Sequence, residues 1–238
     1  LLGQHVPSQS ELGWADLQHR LQILEGRQQS MEGRQQTMEG RQQTMDQQNA
    51  PVSQSGSVYI RWGRTECPAG VSLVYKGYAG GTYYTTEGGM SEYLCLPPNP
   101  EWNRYYDGFQ GYAAHLHGGE YQMEGHERLL DRPLHQQNVP CAVCHVTGRG
   151  SVMTFPALRA CPEGWHREYE GYLMAPATQS WSKGKSKPVC IDESPEVVPG
   201  GHRNENGALF YFVEAKCGSL PCGPYVDGRE ITCAVCTR

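Results

Sequence analysis

The chain has 238 residues, room for one large domain or two small ones plus an appendage. Its formal net charge of −5 is mild and gives no electrostatic handle for nucleic acid or an anionic membrane. With 29 glycines, 16 prolines and 14 tyrosines against 4 phenylalanines, it favours short strands and many turns over a helical bundle. The longest apolar run, Ala208 to Val213, is far too short to cross a bilayer, so no membrane insertion is expected.

Leu1 and Leu2 open a segment that turns polar at once, so the chain reads as a mature form from which a leader has been removed. Ten cysteines, an even count, point to a disulfide framework and hence to a secreted, extracellular protein. The sequence contains no Asn-x-Ser/Thr sequon.

Residues 25–45 are three tandem copies of a seven-residue unit, EGRQQSM, EGRQQTM and EGRQQTM. A period of seven returns one stripe of a helix to its partner, the signature of a left-handed coiled coil. Placing Leu17, Leu24, Met31, Met38 and Met45 at position d puts Trp14, Leu21, Gln28, Gln35 and Gln42 at a. Glu25, Glu32 and Glu39 fall at e and Arg27, Arg34 and Arg41 at g, an arrangement that pairs neighbouring helices in parallel register. From Glu11 to Gln48 the rod is expected to be roughly 55 Å long. Gly26, Gly33 and Gly40 sit at f and weaken a lone helix, by up to about 1 kcal/mol each relative to Ala, so the stem needs partners. A disordered Gln-rich tail is the competing reading, which a strict heptad with complementary charges disfavours. Asn49-Ala50-Pro51 ends the helix, and Pro51 to Gly56 reads as a linker.

The remainder repeats itself. Cys67-Pro68-Ala69-Gly70 is echoed by Cys161-Pro162-Glu163-Gly164, and Tyr75-Lys76-Gly77-Tyr78 by Tyr169-Glu170-Gly171-Tyr172. Cys95 matches Cys190, and Cys141-Ala142-Val143-Cys144 matches Cys233-Ala234-Val235-Cys236, all at offsets of 92 to 95 residues. Val58 to Trp62 and Leu209 to Val213 read as strands, and Gly80-Gly81 and Gly118-Gly119 as turns. The expected architecture is mostly β. A parallel α-helical coiled-coil stem (1–50) precedes a tandemly duplicated, disulfide-bonded, antiparallel head of two lobes, 51–149 and 150–238, sharing one core. Trp62 and Trp165 are expected inside it. The paired CxxC motifs also fit a zinc site, but each has two further upstream cysteines to pair with, and no βαβ pattern supports a redox motif.

No catalytic signature is present: there is no G-x-S-x-G elbow and no HExxH, and Gly184-Lys185-Ser186 lacks the upstream glycine of a P-loop. A non-enzymatic role is expected. His115 and His117 would share one strand face and, with Glu120, could hold a divalent metal ion; a solvated pair of histidines is the plainer alternative. A second set combines aromatic, amide and charged groups on expected loops: Arg64, Trp102, Asn103, Arg104, Asp107, His202, Arg203, Asn204 and Asn206. Sugar recognition uses such a mix, rings for the C–H face and polar groups for the hydroxyls.

The run PCAVC at 140–144, GSVMTF at 150–155, ACPEGW at 160–165 and EGYLM at 170–174 resembles the junction between the two halves of the C-terminal non-collagenous domain of type IV collagen. It is closer still to the short-chain, collagen C4-like relatives of invertebrates, over most of residues 56–238. The resemblance implies a duplicated β head, built like that non-collagenous domain, that assembles in threes. It also implies the disulfides Cys67–Cys144, Cys95–Cys141, Cys161–Cys236, Cys190–Cys233 and Cys217–Cys222. No Gly-X-Y run occurs, so a coiled coil stands where a collagen stem would. Two functions follow as expectations: a multivalent homotrimeric lectin for extracellular glycans, or a matrix protein whose heads self-associate.

Overall fold

The computed structural model describes residues 9–48 and 55–238, with side chains in the helix described from 17 to 41. The chain divides into two compact units, 1–53 and 54–238.

Among its described residues the first unit contains one helix, α1 (Gln9–Gln48), 40 residues long. Its length is supported on its own surface by Gln28 and Gln35, whose side-chain amides donate to Glu32 and Glu39 one turn on, at 3.1 and 3.0 Å. A Cβ added at Gly26, Gly33 or Gly40 would meet nothing within 4 Å, as an outward position requires. Leu17, Leu21, Leu24, Met31 and Met38 are all exposed on the single chain. The side chains of Trp14, Gln42 and Met45, and residues 49–54 at the helix end and linker, lie outside the described residues.

The second unit is mostly β, with strands β1 (Gly56–Trp62), β2 (Ser72–Gly81), β3 (Leu94–Leu96), β4 (His117–Tyr121) and β5 (Pro140–Thr147). They are followed by β6 (Val152–Pro156), β7 (His166–Ala175), β8 (Val189–Asp192), β9 (Ala208–Phe212) and β10 (Thr232–Thr237). β5 pairs antiparallel between β1 and β2, and β10 pairs antiparallel between β6 and β7. The two CAVC strands are buried almost throughout, and in β5 alternate residues enter different core clusters, Cys141 and Val143 one and Ala142 and Cys144 the other, so the strand reads as an unbroken run of small apolar residues.

The head is not wholly antiparallel, as the sequence led us to expect. β1 meets β8 in parallel at Trp62 and Ile191, and β4 runs parallel to β9. Because β9 also pairs with β7, the order β7-β8-β1-β5-β2-β4-β9 closes on itself, and the parallel contacts are the seams between residues 56–149 and 150–238. A second correction concerns Gly80-Gly81 and Gly118-Gly119, which are not turns. They lie inside β2 and β4, where Gly80 pairs with Gly118 and Gly81 with His117. At Gly119 a Cβ would stand 2.7 Å from the Phe210 ring, so the glycine is there for close packing.

Two further glycines act alike. A Cβ at Gly77 would collide with the Leu96 carbonyl, and one at Gly171 with the Ile191 carbonyl, each the residue after a disulfide cysteine. Gly70 and Gly164 both have φ +80°, closing turns in which Val71 and Trp165 donate to Pro68 and Pro162 at 3.1 Å.

Five disulfides join Cys67–Cys144, Cys95–Cys141, Cys161–Cys236, Cys190–Cys233 and Cys217–Cys222, the pairs that the resemblance implies, and no cysteine is free. The CxxC thiols are thus all oxidised and cannot bind zinc.

The core forms two clusters, and each draws on both halves of the head. One holds Trp62, Tyr93, Tyr121, Met123, Ile191 and Phe210; the other holds Tyr59, Val146, Tyr169, Leu173 and Val235. Trp165, expected in the core, is only half-buried and rests edge-on against Phe155, 5.4 Å between ring centroids.

Candidate functional site

The most distinctive surface feature is a run of aromatic rings. Phe109 lies 4.8 Å from His115, which is 6.5 Å from His117, all between ring centroids. His117 contacts Tyr83 at 4.9 Å, and Tyr83 contacts Tyr84 at 4.9 Å. Tyr84 then meets Trp181 at 5.9 Å, and Trp181 meets Tyr211 at 6.0 Å. Phe109 and Trp181 are 89% and 45% exposed, and Tyr83, Tyr84 and Tyr211 are half-buried. Seven rings from four separate segments therefore form one continuous band at the surface.

The fold assembles this band from the glycine-rich pairing of β2 with β4. β2 ends at Gly81, so Tyr83 and Tyr84 leave the sheet directly beside His117. The Tyr84 amide donates to the Gly207 carbonyl at 3.1 Å, and its carbonyl accepts from Lys183 and Gly184 at 2.8 and 3.0 Å. These bonds hold the Trp181 segment and the 202–207 segment against the same tyrosine.

Between β3 and β4 the chain makes a long excursion carrying Trp102, Asn103, Arg104 and Asp107, all exposed. Trp102, Tyr105, Tyr106, Phe109 and Tyr112 are at least 70% exposed, an unusual concentration of rings that plug no core. Phe109 joins this excursion to the band. His202, Arg203 and Asn204 are also exposed, and Arg203 makes only a 3.6 Å ion pair with the neighbouring Glu205.

Glu120 is not a third ligand beside His115 and His117. It is 2% exposed, and its carboxylate accepts from the Gln122 amide at 2.6 Å and from the backbone amides of Glu205 and Asn206 at 3.0 and 3.3 Å. One residue of register explains this: in a strand, 120 and 117 face opposite sides. Glu120 instead fixes the 202–206 loop, and Asn206 there adopts φ +51°, a conformation asparagine tolerates well.

Arg64 is likewise engaged. Its Nη1 donates to the Ser194 carbonyl at 2.8 Å, and its Nε lies 3.2 Å from Glu196 Oε1, an ion-pair contact without hydrogen-bond alignment. Glu196 also accepts from the Thr65 hydroxyl and amide at 2.6 and 2.9 Å. Burial pushes the Glu196 carboxyl up, but the Thr65 hydrogen bonds and the Arg64 and Arg61 charges outweigh it, leaving the group below the usual carboxylate range. Arg64 therefore clamps the two halves together.

Sequence reasoning missed Tyr83, Tyr84, Phe109, Trp181 and Tyr211. Adjacent tyrosines straight after Gly80-Gly81-Thr82 were the available signal, but ring contacts between distant segments have no local signature. Among the described residues, the group able to place three metal-ligand atoms together is His126, Glu214 and Glu230, within 4.8 Å of one another. No helix among them is long and apolar enough to cross a membrane. No protein-family model matches the chain.

Proposed function

We propose that this is a secreted, non-catalytic, oligomeric binding protein whose head recognises extracellular glycans. The observation that carries the reading is the band from Phe109 to Tyr211, bordered by the polar 202–206 loop that Glu120 anchors. Aromatic faces suit the C–H faces of sugar rings, while His115, His117, Arg203 and Asn204 offer polar groups for hydroxyls. Ten cysteines joined in five disulfides fit an oxidising compartment.

The heptad and the exposed Leu and Met row of α1 support a parallel coiled coil that displays several heads, and the resemblance to the non-collagenous domain of type IV collagen makes three the expected number. Avidity then compensates for a shallow, weak single site. The matching strand placements of β5 and β10, and of Gly77 and Gly171, support a head built by tandem duplication.

A matrix role is the second reading, favoured by a different surface. Val58, Val152 and Met153 are exposed apolar residues along a groove of about 480 Å3, where heads could dock on one another.

A glycan array probed with the native full-length chain tests the proposal. The expected result is binding to a defined glycan class, lost on Trp181→Ala and on the His115→Ala/His117→Ala pair with the melting temperature unchanged. Binding to no glycan, together with growth into large assemblies at rising concentration, would overturn the lectin reading and favour the matrix one.

A further inference from the structure

We propose that His126, Glu214 and Glu230 form a binding site for a divalent cation of the zinc type, made of residues other than those of the aromatic band. Three chain segments build it. His126 sits in the turn after β4, where its amide donates to the Met123 carbonyl at 2.8 Å. Glu214 and Glu230 face one another across a short antiparallel bridge between the segments after β9 and before β10.

The bridge makes the two carboxylates close neighbours for a definite reason. Ala215 donates to Arg229 and Ile231 to Val213, both at 2.8 Å, so Glu214 and Glu230 occupy a non-hydrogen-bonded pair. Side chains of such pairs approach most closely, and like charges directly opposite are destabilising. A cation between them is the expected remedy, yet no Lys or Arg ion-pairs with either carboxylate among the described residues. The one basic group there is His126, whose Nε2 lies 3.3 Å from Glu214 Oε1 and 3.5 Å from Glu230 Oε1.

The imidazole is aimed by its other nitrogen. Nδ1 is 3.2 Å from the Glu124 carbonyl oxygen, which can only accept, so that contact is a hydrogen bond when the proton is on Nδ1. In the neutral ring the lone pair on Nε2 then points at the carboxylates. This is how metal-binding histidines are held, with the remote N–H on a backbone carbonyl. The ring also rests against Phe212, centroids 5.5 Å apart, which limits its rotation.

The separations are long for a direct salt bridge and are compatible with a metal. Charge-assisted N–H···O bonds usually measure about 2.7–2.9 Å. Bonds of about 2.0–2.2 Å to a tetrahedral zinc give ligand-to-ligand edges of about 3.3–3.6 Å, the range in which 3.3 and 3.5 Å fall. One nitrogen and two carboxylate oxygens suit zinc or its neighbours better than calcium, which takes oxygen ligands alone. With the three side chains 34%, 46% and 21% exposed, an ion has access and a fourth position stays open for water. Bound there, the ion would tie the turn after β4 to the segments flanking β9 and β10.

The test is calorimetric titration of Zn2+ into the untagged, EDTA-treated full-length chain, with Co2+ absorption as a second readout. We expect one Zn2+ per chain, the strong visible bands of four-coordinate Co2+, and a higher melting temperature with Zn2+. His126→Ala, Glu214→Gln and Glu230→Gln should each weaken binding at least tenfold, and the His115→Ala/His117→Ala pair should leave it unchanged. Absence of binding, binding that survives Glu230→Gln and His126→Ala, or binding lost with His115 and His117 would each overturn the proposal.

Discussion

Arg61 grips the carboxylate of Asp192 across the seam between the two halves of the head: its Nη2 and Nε lie 2.7 and 2.8 Å from Asp192 Oδ2. Arg61 Nη1 also donates to the Glu66 carbonyl at 3.0 Å, and the second Asp192 oxygen accepts from the Ser194 amide at 2.9 Å. The two side chains are 15% and 4% exposed, so the Asp192 carboxylate has little water to fall back on. Arg61→Met should destabilise the head by about 3–5 kcal/mol, because it strands a buried carboxylate. The double change Arg61→Met/Asp192→Leu should recover most of that loss. Urea unfolding of the unmodified protein and the two variants measures both; a small effect of Arg61→Met would mean that the seam does not depend on this pair.

Gly77 and Gly171 should respond alike to substitution. Each sits where a Cβ would strike a neighbouring carbonyl, Leu96 in one case and Ile191 in the other. Overpacking at such a contact costs about 1–3 kcal/mol. Gly77→Ala and Gly171→Ala should lower the urea midpoint by similar amounts. A large loss at one and none at the other would argue against equivalent architecture in the two halves.

The disulfides should contribute according to the loops they close. Cys95–Cys141 spans 46 residues and Cys67–Cys144 spans 77, for which chain-entropy reasoning gives about 4.0 and 4.5 kcal/mol. Cys217–Cys222 spans only 5, giving about 2 kcal/mol. Serine pairs at these positions, compared by urea unfolding, should cost most at Cys67–Cys144, slightly less at Cys95–Cys141 and least at Cys217–Cys222.

Alkaline pH should weaken the head. Burial raises the phenols of Tyr93, Tyr121, Tyr59 and Tyr169 above their ordinary 10.0, and Glu168 beside Tyr59 adds to the effect there. Because the folded state holds these protons more tightly than the unfolded chain, their contribution is complete below pH 10 and is lost as the pH rises above it. Stability measured against pH should turn downward beyond that point. Tyr93→Phe should make the decline shallower.

The stem should fail when its apolar row is charged. Met31 and Met38 are 66% and 67% exposed on the isolated helix and stand at the expected d positions. Met31→Asp/Met38→Asp should reduce the oligomer to a smaller species in sedimentation velocity. An unchanged sedimentation coefficient would leave the head as the sole assembler.

Local patterns made much of this protein legible. The heptads announced a long helix, the run Val58 to Trp62 announced a strand, and the repeated CPxG turns appear with the same φ at Gly70 and Gly164. Those features follow from neighbours a few residues apart, where propensity and side-chain period decide the backbone. The cysteine count foretold a fully bonded framework, but spacing alone left its connectivity open, and only the resemblance to the collagen non-collagenous domain supplied the pairs.

Tertiary structure decided the rest. Gly80-Gly81 and Gly118-Gly119 look like turns locally, yet they lie in paired strands because Leu96, Phe210 and Ala79 crowd that crossing. Glu120 looked like a partner for His115 and His117 until strand parity and the amides of Glu205 and Asn206 claimed its carboxylate. His126, Glu214 and Glu230 had no visible relation at all, since 88 and 16 residues separate successive members. The closed strand order brings them together, and sequence reading cannot foresee a contact that depends on how distant strands pair.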